Sequence, residues 1–261
     1  MSRRSQITAL LGCALTLAGA ALASATVRQS GGVRISVEGR LSPQKLPRVG
    51  TAPISVAVGW QISTADGSPP PKLSSLQIEI NRHGRLDYTG LPSCPYPKIQ
   101  PASSERALAG CRPSLVGRGT FSAEVSLAGQ EGSYETAGQL LLFKGERGHK
   151  ALLYGQIYAA HPFATSFVIP FAIKIKAKGT YGSVLQAKIP ASLRSWGNLT
   201  GIEMRLQRTY PYKGARHSFL SAGCPAPKGL GQASFDLART SFAFDGGREI
   251  SATVGGRCEV G

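Results

Sequence analysis

The chain is 261 residues long and 42% hydrophobic, enough apolar material to bury the core of one large domain or two small ones. Thirty Lys and Arg against fourteen Asp and Glu give a formal charge of +16, which draws a protein toward anionic polymers; the plainer reading is that the charge serves solubility. Past residue 25 no apolar run is long enough to form a spanning helix, which excludes a chain of several transmembrane helices.

Residues 1–25 read as a secretory signal peptide: Arg3 and Arg4 supply the charged start, residues 7–22 are apolar, and Ala23-Ser24-Ala25 fits small-residue cleavage. The apolar run falls short of the roughly 20 residues of a spanning anchor. Leu10-Leu11-Gly12-Cys13 imitates a lipoprotein box and Ser2-Arg3-Arg4 a twin-arginine signal, but the apolar run continues past Cys13. Cleavage removes only Arg3 and Arg4 among charged residues and leaves +14.

From Val33 the chain alternates apolar and polar residues, the period of a half-buried strand. Val33, Ile35 and Val37 come first; after a proline-rich loop Ile54, Val56, Val58, Trp60 and Ile62 follow, then Leu76, Ile78 and Ile80. His83-Gly84 is a turn pair that folds residues 85–88 back as a short strand. Between Cys94 and Cys111 the pattern changes: a serine N-cap and the helix formers of residues 104–109, closed by Gly110, predict a helix of two turns at most. Alternation returns over residues 121–127, and the Gly-rich, polar stretch 128–135 is the best linker candidate.

Downstream, residues 139–143 and 151–158 predict a hairpin that turns near Glu146-Arg147-Gly148. Phe167, Ile169, Phe171, Ile173 and Ile175 give the longest alternation. Its first part, FVIPFA, is apolar on both faces, as in a strand buried from both sides, while Pro170 points to a bulge or a sheet edge. Further alternating runs at residues 184–189, 202–207, 218–222, 235–244 and 250–254 bring the expected total to about ten to twelve strands with almost no helix.

Without Cys13 four cysteines remain, Cys94, Cys111, Cys224 and Cys258, an even number in an exported chain. Three pairings are open; Cys94 with Cys111 and Cys224 with Cys258 is preferred because each pair flanks one local unit. No Cys-x-x-Cys or Cys-x-x-His spacing supports a metal site. Cys-Pro-x-Pro-Lys occurs at both Cys94 and Cys224, each time after an Ile-Glu-Ile or Ile-Glu-Met strand. Duplication of one disulfide-pinned β-unit and coincidence both account for this.

Most catalytic chemistries lack their residues. His83, His149, His161 and His217 have no zinc-binding helical spacing, no Gly-x-Ser-x-Gly elbow occurs, and the mature cysteines are committed to disulfides. No glycine loop cradles a phosphate, and no cofactor is expected. A glycosidase needs two carboxylates; Glu79, Asp87, Glu203 and Asp236 are the available ones, with Glu79 and Glu203 expected on a solvated sheet face.

The basic residues show more pattern. Lys174, Lys176 and Lys178 share one face of a strand at intervals of about 7 Å if that strand persists. Arg82 and Arg85 crowd the turn at His83, and Arg205 takes a polar strand position; these six are the candidate anion-binding residues. Tyr210 and Tyr212, flanked by Arg208, Lys213 and Arg216, could stack on a sugar or base; local packing of turn aromatics is the plainer reading.

Five phrases, SPQKLPRVGTAPISV, IEINRHGRLDYTGLP, LVGRGTFSAEV, PFATSFVIPF and HSFLSAGCPAPKG, together resemble an uncharacterised family of exported proteins from high-GC actinobacteria. The resemblance implies export and an all-β fold and carries no activity, cofactor or site residue. The expectation is therefore an all-β protein of two tandem, immunoglobulin-like β-sandwich units, residues 26–128 and 129–261, with one short helix and one disulfide pinning each unit; one continuous sandwich is the alternative. The expected function is non-enzymatic binding or structural work at the cell envelope or outside the cell, with anionic polymers as partner class. The rival is a secreted carbohydrate-active hydrolase.

Overall fold

The computed structural model describes residues 24–126 and 132–261. The expected signal peptide, apart from Ser24 and Ala25, lies outside them, as do residues 128–131 of the expected linker. The strands in chain order are β1 (Ser24–Ser30), β2 (Val33–Ser42), β3 (Lys45–Leu46), β4 (Ala52–Pro53), β5 (Ser55–Thr64), β6 (Leu73–Asn81), β7 (Gly84–Leu86), β8 (Leu115–Ser126) and β9 (Ser133–Arg147). They continue with β10 (Lys150–Ala159), β11 (Thr165–Ile175), β12 (Tyr181–Lys188), β13 (Gly197–Leu206), β14 (Thr209–Tyr212), β15 (Ala215–Ser218), β16 (Leu220–Ala222), β17 (Gln232–Phe244) and β18 (Glu249–Val260). Two short helices, α1 (Ser104–Cys111) and α2 (Ala191–Trp196), complete the regular structure of the described residues apart from two single 3-10 turns.

The predominantly β expectation and both disulfides are found; the two immunoglobulin-like units are not clearly present. Thirteen strands form one curled sheet in the order β1-β2-β5-β13-β8-β9-β10-β11-β12-β6-β17-β18-β3, with every ladder antiparallel except β18–β3. Strands early and late in the chain are neighbours: β13 lies between β5 and β8, and β6 between β12 and β17. The stretch expected to link two units instead joins a hairpin, because Ser133 and Glu135 already pair with Ser126 and Glu124 in the β8–β9 ladder.

Alternation explains the curl. Inward residues such as Ile35, Phe121, Leu140, Ile157, Ile169 and Phe242 are buried in one continuous core, and Trp60 of β5 meets Phe242 of β17 edge-on at 5.4 Å across it. The two ends of the sheet come together where β18 packs against β1 and β2. No ladder joins them; the Thr26 hydroxyl donates to the Thr253 carbonyl at 2.8 Å. The close approach of β13 and β8 requires Gly119, where a Cβ would fall 1.9 Å from the Glu203 carbonyl oxygen.

The double-sided burial expected of FVIPFA has a second cause besides the core. On the outer side of β9, β10 and β11, Leu141, Phe143, Tyr154 and Val168 pack under Cys94, Ile99, Ala102, Ala107 and Cys111. The disulfide Cys94–Cys111 closes this cover over a separation of 17 residues. The Ser103 side chain caps α1 by accepting from the Arg106 amide at 3.3 Å, and Gln156 donates to the Ala102 carbonyl at 2.9 Å to tie the cover down. Pro170 sits one residue beyond the end of the β11–β12 ladder, at Phe171 and Ala187, where a sheet tolerates a missing donor.

At one end β4, β16 and β7 form a small separate sheet, so the strand expected to fold back on β6 pairs with β16 instead. Cys224–Cys258 fastens the chain leaving β16 to β18 over a separation of 34 residues. Helix α2 has no cap signal in the sequence: its N-cap is Pro190, without a side-chain hydrogen bond. Among the described residues no helix is long and apolar enough to cross a membrane.

Candidate functional site

Of the four carboxylates considered for a hydrolase, Glu79 and Asp87 are committed to partners brought in from elsewhere in the chain, while Glu203 and Asp236 are exposed. Glu79 is on the outer face of β6 but only 2% exposed, held by Lys176 at 2.8 Å and by the Arg239 guanidinium. Burial pushes its carboxyl up, but hydrogen bonds and charge from Lys176 and Arg239 outweigh burial and leave it below the usual carboxylate range. This corrects the expectation of a solvated Glu79. Asp87 pairs with His217 at 3.3 Å; burial raises its carboxyl, and the Thr89 amide and His217 bring it below the ordinary value. Among the described residues no three His, Cys, Asp or Glu side chains are placed to hold a metal ion.

The aromatic loop is packed rather than offered. Tyr210 is buried, its hydroxyl donates to the Asp87 and Thr89 carbonyls at 3.2 and 3.0 Å, and its ring stacks on His217 at 5.7 Å. Burial pushes its phenol up to about 12. Tyr212 packs edge-on against His217, with Lys213 5.5 Å above its own ring. The β14–β15 hairpin is thus clasped onto the Asp87–Gly90 turn.

The six basic candidates do not form one site. Strand β11 ends at Ile175, so the three-lysine face breaks: Lys174 donates to the Gln186 side chain at 2.8 Å, Lys176 to Glu79, and Lys178 is exposed beyond the strand. Arg82 donates to the Gly179 carbonyl, and Arg85 is exposed on the small sheet. Arg205 alone joins a larger arrangement, with its guanidinium 3.3 Å from the Ser55 hydroxyl.

That arrangement is a groove of about 420 Å³ on the outer face of β2, β5, β13 and β8. The registers place Arg40, Ala57, Arg205 and Arg118 in one row across the four strands. The next outward row is Glu38, Gly59, Glu203 and Thr120. Ala57 and Gly59 leave the floor low, while Arg40, Arg118 and Arg205 are exposed. With ladder spacing, the Arg205 and Arg118 backbones are about 5 Å apart and those of Arg40 and Arg205 about 10 Å. Among the described residues no acidic side chain forms an ion pair with any of the three.

Two residues further along the same face lies a trough of about 560 Å³ lined by Gln61, Ser63, Ser122, Glu135, Thr136 and Thr200, among others. Its first row is Gln61, Gly201, Ser122 and Ala137. Arg40 and Arg118 were not among the candidates from sequence. Each sits at an outward position of an alternating strand, a visible signal, but their meeting depends on β13 entering between β5 and β8.

No family model matches the chain, and no curated protein and no solved structure is similar to it.

Proposed function

We propose that the protein is an exported, non-enzymatic binding protein of the cell envelope or extracellular space. It holds an anionic, hydroxyl-bearing polymer along the outer face of β2, β5, β13 and β8. The observation that carries this reading is the arginine row. Like charges set opposite each other on neighbouring strands destabilise a sheet, and Arg205 faces Arg118 with no acidic ion-pair partner on either among the described residues. A cost of that kind is offset when an anion bridges the guanidinium forks, which suit carboxylate and phosphate. Glu38, Glu203 and the hydroxyls of the adjoining trough accept and donate to sugar or polyol hydroxyls. Two disulfides fit an oxidising, exported setting.

The test is retention of the purified protein on isolated cell walls and on polygalacturonate beads across a salt series. Retention at low salt that falls as screening increases supports the reading. Failure to bind either matrix at any salt concentration sinks it.

A further inference from the structure

The curled sheet also encloses an internal space that the polymer reading leaves unused. Its volume is about 90 Å³ and its wall is built from inward side chains of strands from β2 round to β18, among them Val58, Ile80, Leu142, Leu153, Met204 and Phe235. Polar residues occur only at the end under the small sheet. There the Asn81 side chain is already committed, donating to the Asp236 carbonyl at 2.7 Å and accepting from the His83 amide at 3.0 Å. Water in such a space would find few partners, and apolar cavities of this kind stay dry and take apolar guests.

We propose that this chamber is a binding site for the end of an unbranched hydrocarbon chain. Size favours one class of guest: an apolar cavity of about 150 Å³ takes a benzene ring, and this one, at about 90 Å³, is smaller, so a slender polymethylene end suits it better than a ring. The chamber is partly open, so the remainder of a longer chain can leave it; Val58, Ile80, Met204 and Phe235 face this space and are half-buried. An entry route follows from the topology. Where β2 and β18 meet, Gly39 lies against Val254 and Leu237 without a ladder between the strands. Around Gly39 and Val254 that seam is held by side-chain packing and the Thr26–Thr253 hydrogen bond. The backbone hydrogen bonds between this part of the chain and β18 begin only at Gln44 and the β3–β18 ladder, so the gap above them parts without breaking a ladder.

The probe is cis-parinaric acid, an unbranched fluorescent polyene acid, titrated into the purified protein, with decanol and decanoate as competitors. A saturable, one-to-one rise in fluorescence is expected, displaced by both competitors. Equal displacement would mean that the chamber reads the chain alone; stronger displacement by decanoate would add a contribution from Arg85, which lines the polar end. Either result supports the chain site. Ala238→Leu and Val58→Phe fill the chamber and are expected to weaken binding at least tenfold while the protein still melts cooperatively; Lys150→Ala, at the exposed start of β10, leaves it unchanged. Ala238→Leu should also raise the melting temperature of the ligand-free protein, because it occupies empty space. Absence of saturable binding, or the same affinity in wild type and a folded chamber-filling variant, overturns the proposal.

Discussion

Glu79 shows how one residue can be placed correctly in a pattern and misread in its environment. Its outward position between Ile78 and Ile80 is legible, since alternation puts it opposite the core. Its burial is not, because the covering side chains, Lys176 and Arg239, come from residues 97 and 160 positions away, and Arg239 is steadied over the Tyr181 ring at 4.9 Å. Glu79→Gln leaves two cations that can still reach water, since their side chains are 49% and 45% exposed. The expected loss is therefore about 2 kcal/mol by denaturant titration at neutral pH, less than for a pair buried on both sides. Because the folded carboxyl titrates below its unfolded value, its stabilisation is present above about pH 4.3 and lost as pH falls through the folded value. Melting temperature measured against pH should accordingly drop more steeply at acid pH in wild type than in Glu79→Gln; parallel curves would contradict the assignment.

At the scale of elements, the cover over β9, β10 and β11 is the part most fully legible. Two cysteines 17 residues apart, a serine-capped helix and a strand apolar on both faces point to one arrangement: a short helical loop pinned against the outside of a sheet. What the sequence withholds is which strand receives the cover, since Leu141, Phe143 and Tyr154 meet it only after β9, β10 and β11 have paired. Chain closure by Cys94–Cys111 is worth about 3 kcal/mol in the loop-entropy model. Replacing both cysteines by alanine should cost that much by equilibrium unfolding. It should also speed hydrogen exchange in β9 and β10 more than in β2 and β5, while an even change across the sheet would show that the cover is not local. The β8–β9 connection resembles a linker in sequence, and α2 is not visible there, both for physical reasons. Glycines and polar residues at 128–135 carry turn chemistry whether they join two domains or two strands, and α2 is a six-residue helix without a capping side chain.

For the whole molecule, strand existence was legible from alternation and strand order was not. Nothing local states that β13 inserts between β5 and β8 or that β6 separates β12 from β17; those choices come from closing a sheet around Trp60, Phe242 and the rest of the core. The same non-local ordering creates the arginine row, since Arg40, Arg118 and Arg205 lie far apart in the chain and meet only in register. Overall positive charge would attract a polyanion to any face, so a specific site requires that the groove contribute more than the total charge. The most direct test compares two triple variants that each remove three positive charges, Arg40→Ala/Arg118→Ala/Arg205→Ala and Lys174→Ala/Lys178→Ala/Lys213→Ala, by titration with oligogalacturonate at fixed salt. If the arginine row holds the polymer, the arginine variant loses at least tenfold in affinity and the lysine variant only a little, with both proteins folded. Equal losses would contradict it and leave diffuse charge as the whole of the attraction.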